Sequence, residues 1–457
     1  MIRQPFLAIS LTLGLAACDT VPFEEPPTRA RIAESSLPPM KAFSTAHPSA
    51  PTRSNGNIAA DFLDLHFELE SGRALPVFTR FETPITVRVT GDAPANLDRD
   101  LDLLLDRLRN EAGIDIRRMR SGDANITIES VTRADIRRAL PQAACFVVPN
   151  VSSLSEFRRK RHRPETNWAL LRNRSQLGIF IPNDSSPQEI RDCLHEELAQ
   201  AIGPLNDLYR LPDSVFNDDN VHTVLTGFDM LILRATYAPE LRSGMTRGQV
   251  ASRLPQILAR LNPRGVTRPA NPIAVTPRSW IENVQTTLGP GSTLDERQRA
   301  ANNAASTAQQ LGWSDHRRAF SHYMLGRMTQ GYDPDLAQRH YQNALHFLSL
   351  SPNTDLHRAY VSTQVAAYEI TRGDGDAALA LIRPNLAVAA QSENAALLST
   401  LMMLQAEALD LVGRPDQARN VRLDSLGWAR YGFGSDWAVR AKMREIAALN
   451  PQNKTGG

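Results

Sequence analysis

Apolar and polar positions divide the chain into two unlike stretches. In the first, Thr86-Val87-Arg88-Val89 alternates as a half-buried strand does. Leu101, Leu103, Leu104, Leu105 and Leu108 fall mostly at helical spacing and predict a helix over 97–111. Ile126-Thr127-Ile128-Glu129, Cys145-Phe146-Val147-Val148 and Gly178-Ile179-Phe180-Ile181 predict three further strands. A sharper helix signal follows them. Ser186 is placed to cap it, Pro187 suits a first turn, and Glu189 completes a Ser-x-x-Glu capping box. Gly203, free to adopt positive φ, is placed to end that helix just after Ile202. These elements predict an α+β domain over residues 59–262.

Beyond it the strand-like runs stop. Residues 263–293 are rich in Pro, Gly, Thr and Asn and predict a linker carrying a short helix at Trp280–Leu288. Over 294–450 the pattern is helical throughout. Gly331-Tyr332-Asp333-Pro334-Asp335-Leu336-Ala337, Gly373-Asp374-Gly375-Asp376-Ala377-Ala378 and Gly413-Arg414-Pro415-Asp416-Gln417-Ala418 repeat one turn, with Asp-x-Ala recurring after 41 and then 40 residues. With Leu325-Gly326, Ala337, Tyr341, Ala344 and Pro352, the array resembles tetratricopeptide repeats with longer units. That resemblance implies a protein or peptide partner in a concave groove. The alternative is a helical bundle that only braces the first domain.

Composition narrows the field. Of 457 residues, 42% are hydrophobic and 22% charged, which excludes wholesale disorder. The net charge of +2 and the lack of aromatic interleaving give no reason to expect nucleic acid as a partner. A polytopic membrane protein is excluded, because only the first twenty residues offer an apolar run and it is too short to span. That run has the form of a secretory signal peptide over residues 1–18: a short positive start at Met1-Ile2-Arg3, then Phe6 to Ala17. It closes on Leu15-Ala16-Ala17-Cys18, which resembles the lipobox of bacterial lipoproteins. The resemblance implies a lipidated Cys18 holding the protein to the lipid bilayer at the periplasmic face of a bacterial cell envelope, and Asp19 then favours the inner membrane. A plain signal peptide is the alternative. Residues 19–58, with Pro26-Pro27, Pro38-Pro39, Pro48 and Pro51 among Ser, Thr and Ala, predict a disordered tether. Removing Cys18 leaves Cys145 and Cys193, expected to pair as a disulfide in an oxidising compartment, with two buried thiols as the alternative.

The helix after Ser186 carries the chemistry. Strand, helix, strands and then a motif-bearing helix is the order found in zinc peptidases of the zincin type. Such a helix needs His-Glu-x-x-His, because positions i and i+4 share a face and both imidazoles reach one zinc. Read from His195, the second ligand would be Ala199, which cannot bind metal. One residue on, Glu196, Glu197, Gln200, Gly203 and Asn206 occupy the positions of the metzincin pattern His-Glu-x-x-His-x-x-Gly-x-x-His, with oxygen-bearing side chains where that pattern has imidazoles. This resembles an uncharacterised bacterial secreted protein family, domain-of-unknown-function family 2927, considered metzincin-like. The resemblance extends through Asp213-Ser214-Val215-Phe216-Asn217-Asp218, Leu225-Thr226, Asp229 and Tyr237 to Met245.

It implies a zincin-like fold with Glu197 at the general-base position and Glu196, Gln200, Asn206 and Asp207 as ligand or metal-site candidates. Amide oxygens are weak donors for zinc. A divalent metal is therefore a possibility with no confident ligand set; a hard cation would need more oxygens, which Asp207, Asp213 and Asp218 could supply. A hydrogen-bonded polar cluster pinning the loop after Gly203 is the alternative. Met245, His195 and His222 are expected to pack rather than to ligate. The basic run Arg158-Arg159-Lys160-Arg161-His162-Arg163 is read as a solvated loop, with contact to anionic lipid as the second use. The leading expectation is a membrane-tethered binding or scaffold protein; the alternative is a metal-dependent peptidase or hydrolase.

Overall fold

Five short apolar runs pair into one sheet in the first part of the chain. They are β1 Ile85–Gly91, β2 Ile116–Arg118, β3 Ile126–Val131, β4 Phe146–Pro149 and β5 Leu177–Pro182, in the order β2-β1-β3-β5-β4. Four are parallel, and β4 joins the edge antiparallel to β5. The register sets Val87 beside Ile126 and Ile128 beside Ile179, so apolar side chains align across the sheet. The computed structural model describes residues 37–454. The expected signal segment, Cys18 and residues 19–36 of the expected tether lie outside them.

Eight helices accompany this sheet: α1 Asn55–Phe67, α2 Ala95–Asn110, α3 Arg133–Ala139, α4 Leu154–Lys160, α5 Pro187–Ile202, α6 Gly227–Thr236, α7 Arg247–Ala251 and α8 Leu254–Leu261. Leu101, Leu104 and Leu108 of α2 and Leu194 and Leu198 of α5 are fully buried in one core with Ile126, Ile128 and Ile179. That core is what holds α5 against the sheet.

Nine helices follow without any strand among the described residues: α9 Arg278–Leu288, α10 Leu294–Gln310, α11 His316–Thr329, α12 Pro334–Ser349, α13 Asp355–Thr371, α14 Gly375–Gln391, α15 Ala395–Leu411, α16 Pro415–Phe433 and α17 Asp436–Ala447. Each repeated Gly/Asp turn falls between two of them, as expected. Within α11, Gly326 sets how closely paired helices approach: a Cβ on it would stand 2.5 Å from the Tyr341 ring, so α11 and α12 meet only because it is glycine. The chain is thus an α/β region with a mixed sheet followed by a helical region. Among the described residues no helix is long and apolar enough to cross a membrane.

Several expectations need correction. The tether over 19–58 does not extend through its second half. Lys41 N donates to Gly427 O at 2.9 Å, Phe43 stacks on Trp428 at 4.6 Å, and α1 begins at Asn55 with Ser54 as its cap. Proline-rich composition missed this because the contacts are made to α16, far along the chain. Gly203 ends α5, but its φ is −154° and not positive. Glycine is required there by space: a Cβ would lie 2.9 Å from Leu233 Cδ2. The capping box is half formed. Ser186 accepts from Glu189 N, while the Glu189 carboxylate accepts from Arg133 at 2.6 Å. The basic run is not all loop, since α4 reaches Lys160, and its Arg158 and Lys160 pair with Asp135 and Glu156.

Candidate functional site

Helix α5 positions the motif. Ser186 caps its start, and at its end the buried guanidinium of Arg174 donates to the carbonyls of Gln200, Ala201 and Gly203. A cation on those terminal carbonyls satisfies groups the helix leaves open and suits its dipole. Burial lowers Arg174 to about 10, so it still carries its charge at neutral pH. The Cys145–Cys193 disulfide, closing 48 residues, ties the segment entering β4 to the middle of the same helix. The expected pairing is the one found.

On this scaffold the motif residues separate into two sets. Glu196 and Glu197 join Asp207 in a group of carboxyls that also takes in Glu70 and Asp218. Glu197 is 5% exposed, and its Oε2 has no hydrogen-bond partner. Its pKa is pushed up to about 8, first by burial and then by the Glu70 carboxylate. Burial, then Glu197 and Asp192, push Glu196 well up. Asp207, with a buried unpaired Oδ1, is raised in the same way by burial and by Glu70. A carboxylate without donors or a cation is costly in the interior, so Glu197 is mostly protonated at neutral pH and burial favours the protonated forms of Glu196 and Asp207.

The second set is structural. Asn206 Nδ2 donates to Asp64 O at 3.1 Å and fastens the loop to α1. Gln200 is buried, and its backbone carbonyl is one of those Arg174 caps. Asp213, a proposed oxygen donor to a hard cation, is instead paired with Arg53 and accepts from Asn353 Nδ2 at 3.0 Å. Asp218, though one of the carboxyl group, does find a donor and accepts from Tyr209 OH at 3.0 Å. Among the described residues, no group of three or more His, Cys, Asp or Glu side chains is arranged to hold a metal ion. His195 accepts from Leu225 N through Nδ1 at 3.1 Å, which makes it a packing residue. Met245 is buried in the core.

Sequence reasoning missed Asp192 and Glu70. Asp192 was legible, since it lies one helical turn before Glu196 on the same face. Glu70 follows α1 and carried no signal.

The loop after α5 also makes a second site. Tyr209 packs against Trp280 of α9, and Val221 is buried in the core of the helical region. His316 Nε2 donates to Tyr209 O at 2.7 Å, and His357 Nε2 bonds Asp219 Oδ2 at 2.8 Å. Between this loop and the helices lies a cavity of about 280 Å³, lined by Val221, Phe320, Tyr323, Arg327, His357 and Val361 among others. Beside it His222, with Nε2 on Pro212 O at 3.0 Å, faces His357. Burial and then His357 lower both His222 and His316 to about 4. Both rings are neutral at pH 7.

The two regions are locked together by polar contacts that water does not reach. Arg191 of α5 pairs with Glu393, their side chains 8% and 4% exposed. Gln188 donates to Asn394 Oδ1 at 3.1 Å and accepts from Ala396 N at 2.9 Å, and Tyr431 OH donates to Asp100 at 3.0 Å.

Residues 55–256 match a family model described as a protein of unknown function (DUF2927), spanning α1 into α8. That range supports the resemblance drawn from the motif helix, to an uncharacterised family. No curated protein and no solved structure matches the chain.

Proposed function

We propose that this is a binding and scaffold protein, held at the periplasmic face of a bacterial envelope membrane through a lipidated Cys18. Its α/β region is a degenerate metzincin-like domain, and its tetratricopeptide-like helices recognise a peptide segment of a partner protein. The cavity at the junction carries this reading. Phe320, Tyr323 and Val361 offer an apolar pocket for one large side chain, and the exposed Arg327 beside them suits an acidic neighbour. His316 on Tyr209 O and His357 on Asp219 fasten the loop wall of that cavity to its helical wall. A preformed pocket binds without first paying to order its walls.

The hydrolytic alternative has less support. A general base must be free of its proton, and Glu197 keeps its own until about pH 8.

Panning a random peptide library against the purified chain tests the proposal. The expected consensus pairs an aromatic or branched apolar residue with Asp or Glu. Val361→Trp, which fills the pocket, and Arg327→Glu should abolish the enrichment, and Glu197→Gln should leave it intact. Equal enrichment on the filled pocket, or none on the native chain, would sink the binding reading. Peptide hydrolysis that Glu197→Gln abolishes would install the alternative.

A further inference from the structure

Outside both sites, α11 and α12 bring two imidazoles face to face. His322 Nδ1 and His340 Nδ1 stand 3.4 Å apart. Two nitrogens each about 2.05 Å from a tetrahedral dication are about 3.3 Å apart, from the usual zinc–imidazole distance and the tetrahedral angle. The observed spacing therefore matches a shared metal as well as it matches a hydrogen bond between the rings. We infer that His322 and His340 form a two-imidazole site for a transition-metal dication of the copper(II), nickel(II) or zinc(II) class, with water completing the coordination. Imidazole nitrogen suits these ions, and hard cations such as calcium and magnesium prefer oxygen.

Three features prepare the pair. The two rings come from different helices, so the fold rather than one flexible turn sets their separation. The His322 ring lies on Phe347 at 5.6 Å with only 6° between planes, which restrains its rotation. Both side chains are half-buried, so an ion can reach them from solvent.

Arg318 and Arg339 oppose a dication by charge. Arg318 is drawn aside: its guanidinium sits over the Phe347 ring at 4.7 Å and donates to Trp313 O at 3.3 Å.

This site is independent of the peptide pocket, and its test reads a different quantity. Titrating copper(II) into the untagged chain at pH 7, followed by calorimetry, should show one saturable site. The copper spectrum in electron paramagnetic resonance should carry hyperfine structure from two nitrogens. His322→Gln and His340→Gln should each weaken binding by more than about tenfold, the lower end of what even outer partners of a metal ligand contribute. Glu197→Gln should leave it unchanged. Absence of saturable binding, affinity in either histidine variant equal to the parent's, or loss of binding in Glu197→Gln would each overturn the assignment.

Discussion

Glu197 and Glu407 are both buried glutamates in mid-helix, one in each region, and they are treated in opposite ways. Glu407, 3% exposed on α15, accepts from Arg422 at 3.0 Å, Asn450 at 3.1 Å and Asn453 at 3.2 Å. Glu197 has an oxygen with no donor, and other carboxyls are its nearest charges. The helical region satisfies the charge it buries, as a structural element must. The α/β region instead accumulates carboxyls around α5, where burial favours their protonated forms. Such an arrangement costs little as long as the protons stay. It also makes that region's stability fall as pH rises through the neutral range.

The contrast can be broken most forcefully at the elements that hold α5 in place. Replacing Cys145 and Cys193 with Ala opens a loop of 48 residues and is expected to cost about 4 kcal/mol on the chain-entropy account. Urea unfolding with and without reductant measures it; a loss below about 1 kcal/mol would mean that packing alone holds the helix. Arg191→Ala comes next, because it strands Glu393 in the interface, and the loss should be roughly 3 kcal/mol. Arg191→Met combined with Glu393→Leu should recover most of that, which thermal melts of the single and double variants would reveal.

On the other side, Glu407→Gln takes the charge from a carboxylate with three donors and should cost about 2 kcal/mol. Gly326→Ala forces a Cβ against the Tyr341 ring. Overpacking of roughly 1–3 kcal/mol, offset by about 1 kcal/mol of helix propensity, leaves a net loss near 1 kcal/mol, measurable by denaturant midpoint.

The last effect has the opposite sign and sharpens the comparison most. The folded pKa of Glu197, about 8, lies above its ordinary 4.5. Between those values the unfolded chain holds fewer protons than the folded one, so this group's contribution to stability falls as pH rises from about 4.5 to 8. Glu197→Gln should remove that fall. The variant should match the parent near pH 5 and exceed it at pH 8, as urea midpoints across that range would show. A parent and variant that stay parallel would mean that Glu197 is ionised in the fold.

Much of this was legible locally. Ser186, Pro187 and the apolar spacing through Ile202 marked α5, since cap, first turn and core-facing stripe are all written within one helix. Strands β1, β3, β4 and β5 showed themselves as short apolar runs. Helix α1 was missed although Ile58, Phe62 and Leu65 have helical spacing, and the prolines before it drew its first residues, 55–58, into the tether. Strand β2, only Ile116–Arg118, is too short to carry a period. The motif residues Glu196, Glu197 and Asp207 do share one site, whereas Asn206 and Asp213 were claimed by α1, Arg53 and Asn353.

The sequence by itself determined the two-region plan and the helix that bears the motif, because these rest on spacing and capping, and it pointed to the Cys145–Cys193 pairing that the structure then decided. Only the tertiary structure decided what the acidic side chains are. Glu197 and Glu407 look alike in a string of letters. Whether a glutamate keeps its proton depends on how much water it loses and which donors reach it, and those donors and neighbours, Arg422 and Asn450 for one and Glu70 for the other, arrive from distant parts of the chain.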